Sequence, residues 1–240
     1  MRNLLDISVC IASCNGEKYI ARQLESILSQ ELPVAEIIIS DDSSTDRTVD
    51  IIRLYNDARI KLLENNKFHS PIFNFENALI HASGEVIFLS DQDDIWMPNK
   101  VRVMKECLKH YDLVVSDASL IDADDSVIES SFFKLRNSGP GFVKNIYKNT
   151  YLGCCMAFNR NILEKSLPFP PDVPMHDMWL GMIAEIYGRT YFCKEKLVHY
   201  RRHSSNASPT GGNSCYKALD KIKFRFKLLS ALAKRHLIVK

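Results

Sequence analysis

Nowhere do the 240 residues string together the roughly 20 apolar side chains that a membrane-crossing helix needs. The opening MRNLLDISVC has no apolar h-region of a secretion signal. The seven cysteines, Cys10, Cys14, Cys107, Cys154, Cys155, Cys193 and Cys215, are odd in number and form no CxxC pair. That pattern suits neither a disulfide framework nor a zinc ribbon, and cysteines set mostly in apolar runs read as small buried hydrophobes of a reducing compartment. The expected location is cytoplasmic. Internal repeats and low-complexity linkers are missing too, so one domain is expected over residues 1–215, with no boundary inside 1–210.

What is present is a chain 46% hydrophobic, enough for one sizeable core. Its formal charge of +2 is unevenly spread. Residues 216–240 hold eight Lys/Arg against the single acid Asp220, while residues 1–215 hold 23 against 28. The tail reads as a basic amphipathic helix with Leu219, Ile222, Phe226, Leu229 and Ala233 on one stripe. Such a helix could contact the inner membrane face, pack on the domain's own core, or join a second subunit.

Hydrophobic periodicity gives alternating strands and helices: strand 7–12, helix 17–30, strand 36–40, a helix capped by Ser44 or Thr45, strand 60–63, helix 73–82 and strand 86–90. A helix opened by Pro98 and a strand at 113–116 follow. Nearly continuous apolar strands alternating with helices imply a mostly parallel α/β sheet covered on both faces. Residues 120–150 read as loops and edge structure. Beyond them come a strand at 152–158, a helix at 177–187 and two short strands at 191–192 and 197–200.

In an open parallel sheet, ligands bind beyond the carboxyl ends of the strands. Ser13 and Asn15, Asp41 and Asp42, the triplet Asp91, Asp93 and Asp94, and Asp117 all fall at such ends. Asp41-Asp42 alone is as well explained by a turn or helix cap. One capping position does not require the three acids of Asp91-Gln92-Asp93-Asp94, and so many carboxylates in one crevice call for a cation. Oxygen ligands suit Mg2+ or Mn2+, which are commonly held by one or two carboxylates together with phosphates. A calcium-binding EF-hand loop starting at Asp91 is excluded, because Trp96 and Arg102 stand where it needs Gly and Glu. An aspartyl phosphatase stays a minor alternative, since Asp94-Ile95 lacks a small hydroxyl neighbour.

The set CIASCNGEKYIARQLESILSQ, IIISDDSSTDRT, GEVIFLSDQDDIWMPNK, GCCMAFNR, HDMWL and HYRRHSSN, in this order and spacing, resembles the family 2 glycosyltransferases, most of all their rhamnosyltransferase-like branch. The likeness runs over about residues 5–210. It implies an A-type glycosyltransferase fold: a Rossmann-like half binding a nucleotide sugar, about residues 1–117, and an acceptor half, about 118–215. It also implies inverting, metal-dependent transfer to a growing polysaccharide or lipid-linked glycan. Rhamnose from a dTDP- or UDP-sugar leads, ahead of another hexose or an N-acetylhexosamine, or a non-catalytic binding subunit.

By matching position, the resemblance puts Ala12, Ser13, Asn15 and Glu17 in the nucleoside pocket, with Asp41 or Asp42 accepting a hydrogen bond from the base or ribose. Asp91 and Asp93 match the metal-holding DxD, with Gln92 between them, and Asp177 matches the catalytic base. Arg201, Arg202 and His203 match a loop, continuing through Ser204–Asn206, that folds over the diphosphate. Trp96, His176 and Trp179 are candidates for the acceptor side, against the plainer reading of core tryptophans and a structural histidine. Asp177 could equally cap a helix, and the basic loop could be a solvated turn. Ala12-Ser13-Cys14-Asn15 departs from the Pro-Thr-Tyr-Asn frequent in the family, which weakens transfer of fine sugar specificity.

Overall fold

In the computed structural model, residues 7–203 and 218–238 are described, the side chains of 218–222 excepted. Cys215 and the Ser204–Asn206 part of the basic loop lie outside the described residues.

The first half builds as its periodicity predicts. Strands β1 (Ile7–Ser13) and β2 (Glu36–Asp41) are buried almost throughout. Successive side chains point to opposite faces of a sheet, so burial at every position means both faces are covered. β1 pairs in parallel with β2 and with β4 (Val86–Asp91), and β2 with β3 (Ile60–Leu63). Helices α1 (Ile20–Leu28), α2 (Thr48–Leu54), α3 (Pro71–Ile80) and α4 (Lys100–Cys107) link them to the second half. α3 starts two residues earlier than the apolar pattern suggests, because Pro71 takes the first helical turn, where its missing N–H costs nothing.

The second half is where the sheet becomes mixed. β8 (Met156–Asn159) inserts antiparallel between β4 and β6 (Leu113–Ile121), and β9 (Thr190–Arg201) runs parallel to β6. β5 (Ile95–Trp96) and β7 (Val127–Glu129) are short antiparallel additions. The order is β3-β2-β1-β4-β8-β6-β9-β5, with β7 on β6.

Within 120–150, read as loops and edge structure, lie β7, an edge strand on β6, and two helices, α5 (Phe132–Arg136) and α6 (Phe142–Tyr147). α5 is fixed by a capping pattern too short for periodicity to register: Ser131 accepts from the Lys134 N–H, and Asn137 closes the helix at φ 54. The two short strands expected near 191 and 197 are one strand, β9, whose register slips against β6 around Asp117. α7 (Arg160–Ser166) and α8 (His176–Tyr187) complete the domain.

The C-terminal helix α9 (Ala218–Ile238) packs on the domain through Leu228, Leu232 and Arg235, all buried. Arg235 donates to the carbonyls of Lys165, Leu167 and Pro168 and lies over the Trp179 ring. Of the three placements open to the apolar stripe, the one on the domain's own core is not taken by Phe226, Leu229 and Ala233, which face solvent. An arginine that satisfies three buried carbonyls settles which face turns inward, and a hydrophobicity pattern scores it as polar.

Candidate active site

The strand registers gather the site. Ala12 pairs with Asp91 and Ser13 with Asp41, so the carboxyl ends of β1, β2 and β4 form one rim. The segment leaving β9 reaches the same rim from the other half of the sheet. Between them lies a cavity of about 900 Å3 lined by Ala12, Ser13, Asn15, Asp42, Asp91, Gln92, Asp93, His176, Asp177 and His203 among others. That size suits a nucleotide sugar.

Several predicted residues turn out to build the wall without facing the cavity. Asp41 accepts from Ser13 Oγ (2.8 Å), Ser44 N (2.8 Å) and Ser44 Oγ (2.6 Å), bracing the turn after β2. Glu17 accepts from Arg47 N, and its own N–H donates to Asp46, which ties the start of α1 to that of α2. Asp42 does line the cavity while accepting from Phe68 N (2.7 Å) and Ser70 N (3.1 Å). Asn15 sits at φ 50, where asparagine is tolerated, and its Oδ1 holds Thr45 N. Gln92 clamps Cys14 through both backbone groups, at 2.9 and 3.0 Å. A Cβ on Gly16 would collide with that carboxamide, so only glycine leaves the clamp undisturbed. Cys14 itself is exposed in the cavity wall, unlike the buried cysteines expected elsewhere.

Arg201 corrects a larger expectation. Its side chain, expected over a diphosphate, is 2% exposed and turned into the protein. The backbone N–H donates to Asp94 Oδ1 (2.9 Å), Nε to the Asp93 carbonyl (2.8 Å) and Nη1 to the Asp122 carbonyl (2.9 Å), while Nη2 pairs with Asp125 (2.6 Å). Arg202 lies against Tyr200 and does not line the cavity. Of the three, His203 reaches the cavity, with Nε2 2.7 Å from Asp93 Oδ2.

The tryptophans are core residues. Trp96 packs on Phe88 with Lys100 Nζ 3.6 Å from its ring centre. Trp179 is fully buried and donates to the Ser166 carbonyl. His176 lines the cavity, stacked on Phe75 at 4.1 Å, and burial pushes it down to about 3, which keeps the ring neutral. Asp117, also expected in the crevice, accepts from Ser131 Oγ and Phe133 N beneath α5.

Electrostatics concentrate on the acids. Burial first, then Asp93 and Asp177, raise the Asp91 carboxyl to about 7, with Lys100 opposing. Lys100 is fully buried, donates to the Cys154 carbonyl (2.7 Å), and is pushed down to about 8 by that burial. Asp177 is raised to about 7 by burial, against the N–H groups of Met178 and Gly153 that stabilise its ionised form. Its place in the first turn of α8 is the favourable end of the helix dipole for an acid.

Among the described residues, two groupings could hold a cation. Asp91, Asp94 and Cys154 bring ligand atoms within 4.8 Å of one another. Burial pushes Asp94 and Cys154 well above their ordinary values, and a thiol is a poor partner for Mg2+ or Mn2+. Asp93 with His203 fits better: a carboxylate and an imidazole side by side at the cavity, beside the repelling charges of Asp91 and Asp177 that a divalent ion would offset.

Sequence reasoning missed the wall built by His69, Ser70, Pro71, Asn74 and Phe75 around the start of α3. The signal was Pro71, which marks a helix start at the sheet's ligand-binding end.

Against known proteins, the sequence matches the profile described as Glycosyl transferase family 2 over residues 8–167. It is 29% identical over 227 residues to the dTDP-rhamnosyl transferase RfbG of Shigella flexneri, covering 87% of this chain and 76% of that protein. Its fold superimposes with a TM-score of 0.70 on S. aureus TarS 1-349 in complex with UDP-GlcNAc, at 20% identity, covering 93% of this chain and 65% of the other. A mannosyltransferase from Pyrobaculum calidifontis in complex with GDP-Man and Mn2+ gives a TM-score of 0.63 at 21% identity, covering 85% and 58%. The chain spans about two thirds of the length of TarS 1-349, and 66% of a further curated relative. The sheet of this chain is thus that of the A-type glycosyltransferases. The chain belongs to glycosyl transferase family 2.

Proposed function

We propose that the protein transfers a sugar, with inversion, from a dTDP- or UDP-sugar to a hydroxyl of a growing cell-surface polysaccharide or lipid-linked glycan, and that rhamnose is the favoured sugar. The observation that carries this reading is the convergence of Asp93, His203 and Asp177 on one cavity of about 900 Å3. The 29% identity to a dTDP-rhamnosyl transferase favours rhamnose over other sugars.

In this reading the acceptor oxygen attacks the anomeric carbon as the bond to the diphosphate breaks, and the leaving nucleoside diphosphate keeps the bonding electrons. Asp177 takes the proton from the acceptor hydroxyl. A carboxyl raised to about 7 is matched to that task near neutral pH, being both available as base and basic enough to accept. With Asp177 acting as base, the reaction is one displacement, hence inversion. Asp93 and His203 are the residues that would hold Mn2+ or Mg2+, and a neighbour of the same fold is in complex with Mn2+. When bound, the ion neutralises the charge of the departing diphosphate.

Asp42, Ser13, Ala12 and Asn15 face the nucleoside, and Gln92 fixes the backbone between them. Neutral His176, beside Asp177, serves the acceptor side as a hydrogen-bonding group with no charge to compete for the proton.

The test is a donor panel, dTDP-rhamnose, UDP-glucose and UDP-N-acetylglucosamine, each with Mn2+, read by release of nucleoside diphosphate and by thermal shift. Release and stabilisation with dTDP-rhamnose above the others support the full reading. Preference for a UDP-hexose keeps the transferase and removes rhamnose. Release unchanged in Asp177→Asn overturns the mechanism.

A further inference from the structure

We infer that α6 and the outward face of α9 form a docking surface for an anionic lipid bilayer. On α9, Phe226 (70% exposed), Leu229, Ala233 and Leu237 (78%) recur at helical spacing along one outward face. They lie opposite the side buried through Leu228 and Leu232. Lys223, Lys227 and Lys234 are exposed along one flank of this face, Lys227 ion-paired with Asp172 at 2.8 Å. On the adjoining α6, Val143 and Tyr147, one helical turn apart, are 79% and 75% exposed, with exposed Lys148 next in sequence. The two helices are held together by Arg225, whose Nε and Nη2 donate to the carbonyls of Ile146 and Tyr147 and whose guanidinium lies over the Tyr147 ring.

Two features identify the occupant. Exposed large apolar side chains gathered on one face, bordered by lysines, match the layering of a bilayer surface, with acyl chains beneath anionic headgroups. Residues 142–148 and 221–240 contain no Asp or Glu. Asp172, ion-paired with Lys227, is an acid beside this face, yet a second copy of the chain would still bring an identical lysine-bearing face, and an isologous contact would set like charges together. A bilayer supplies both the apolar layer and the negative charge. Neither helix is asked to cross it: no helix among the described residues is long and apolar enough.

The geometry also connects this surface to the cavity. Asn145 of α6 accepts from Thr150 N and Thr150 Oγ1, and the chain reaches the cavity wall at Leu152 and Gly153. The wall next to Asp177 therefore hangs from the helix that would meet the membrane.

Co-sedimentation of the whole chain with vesicles tests this without donor or acceptor, so it is decided independently of the transfer reaction. Phosphatidylglycerol–phosphatidylethanolamine vesicles should pellet the protein in a salt-sensitive manner, and phosphatidylcholine vesicles should not. Lys223→Gln with Lys234→Gln should weaken partitioning about fivefold per charge removed, the ratio equivalent to roughly 1 kcal/mol per basic residue at such a surface. Phe226→Ser should weaken it about tenfold through lost apolar burial, with the melting temperature unchanged because the side chain is exposed. Absence of pelleting, equal pelleting with both vesicle types, or full binding by these variants would overturn the inference. So would a dimer in sedimentation equilibrium that Phe226→Ser dissolves.

Discussion

Arg201 Nε donates to the backbone carbonyl of Asp93 at 2.8 Å, so the last residue of β9 holds the acidic loop that follows β4. The same guanidinium pairs with Asp125 and reaches the Asp122 carbonyl. One buried cation thus joins two halves of the sheet at the mouth of the cavity. Arg201→Met leaves these partners unmatched in a dry setting and is expected to cost ~3 kcal/mol in urea unfolding. Arg201→Lys keeps the charge but lacks the fork of donors, and should recover only part of it.

Asp93 and His203 meet at 2.7 Å at the cavity edge. Asp93→Ala or His203→Ala should abolish the rise in melting temperature that Mn2+ gives the parent protein, while the fold without metal melts close to normal. A full Mn2+ shift in both variants would place the ion elsewhere.

Asp177 ties activity to pH. As the base, it works ionised, so kcat/KM should fall as pH drops through about 7. Asp177→Asn should lower kcat about 100- to 10,000-fold, the usual range for losing a general base.

Stability should move the other way. With the folded carboxyl raised to about 7 by burial, the unfolded chain ionises first as pH rises, so this group destabilises the fold progressively from pH ~4 to ~7 and fully above that. Asp177→Asn should therefore melt with the parent at pH 4 and be more stable by about 2–4 kcal/mol at pH 8. Equal stability of the two proteins at pH 8 would show that the site carries no such strain.

Gln92 bonds Cys14 through both its amide groups, and the space beside it is open only because residue 16 is glycine. Gly16→Ala should displace the carboxamide and raise the donor KM several-fold with kcat little changed. Gln92→Ala should reproduce that effect, since two hydrogen bonds of about 1 kcal/mol each are lost either way.

The βα alternation, the buried strands and the acids at their ends were legible in the sequence, because each is a local pattern: an apolar run of strand length, a helical stripe, and polar residues where a strand stops. Asp93 and Asp42 were found that way, Asp177 and His203 through the family resemblance, and the four line one cavity. What the pattern could not rank was which polar side chain turns inward. Arg201 and Arg202 are adjacent and alike in sequence, yet Arg201 is buried on backbone carbonyls and acids of the protein and over the Tyr19 ring. Asp41 and Asp42 differ likewise, one bracing a turn and the other facing the cavity. Trp96 and Trp179 sit close in sequence to site residues, but their large apolar faces are better buried than held in the cavity. For α9, composition determined a basic amphipathic helix, and only tertiary packing decided its rotation. Burying Leu228, Leu232 and an Arg235 matched to three carbonyls satisfies polar groups that burying Phe226 and Leu229 would not, so a stripe whose placement the sequence left open stands outside.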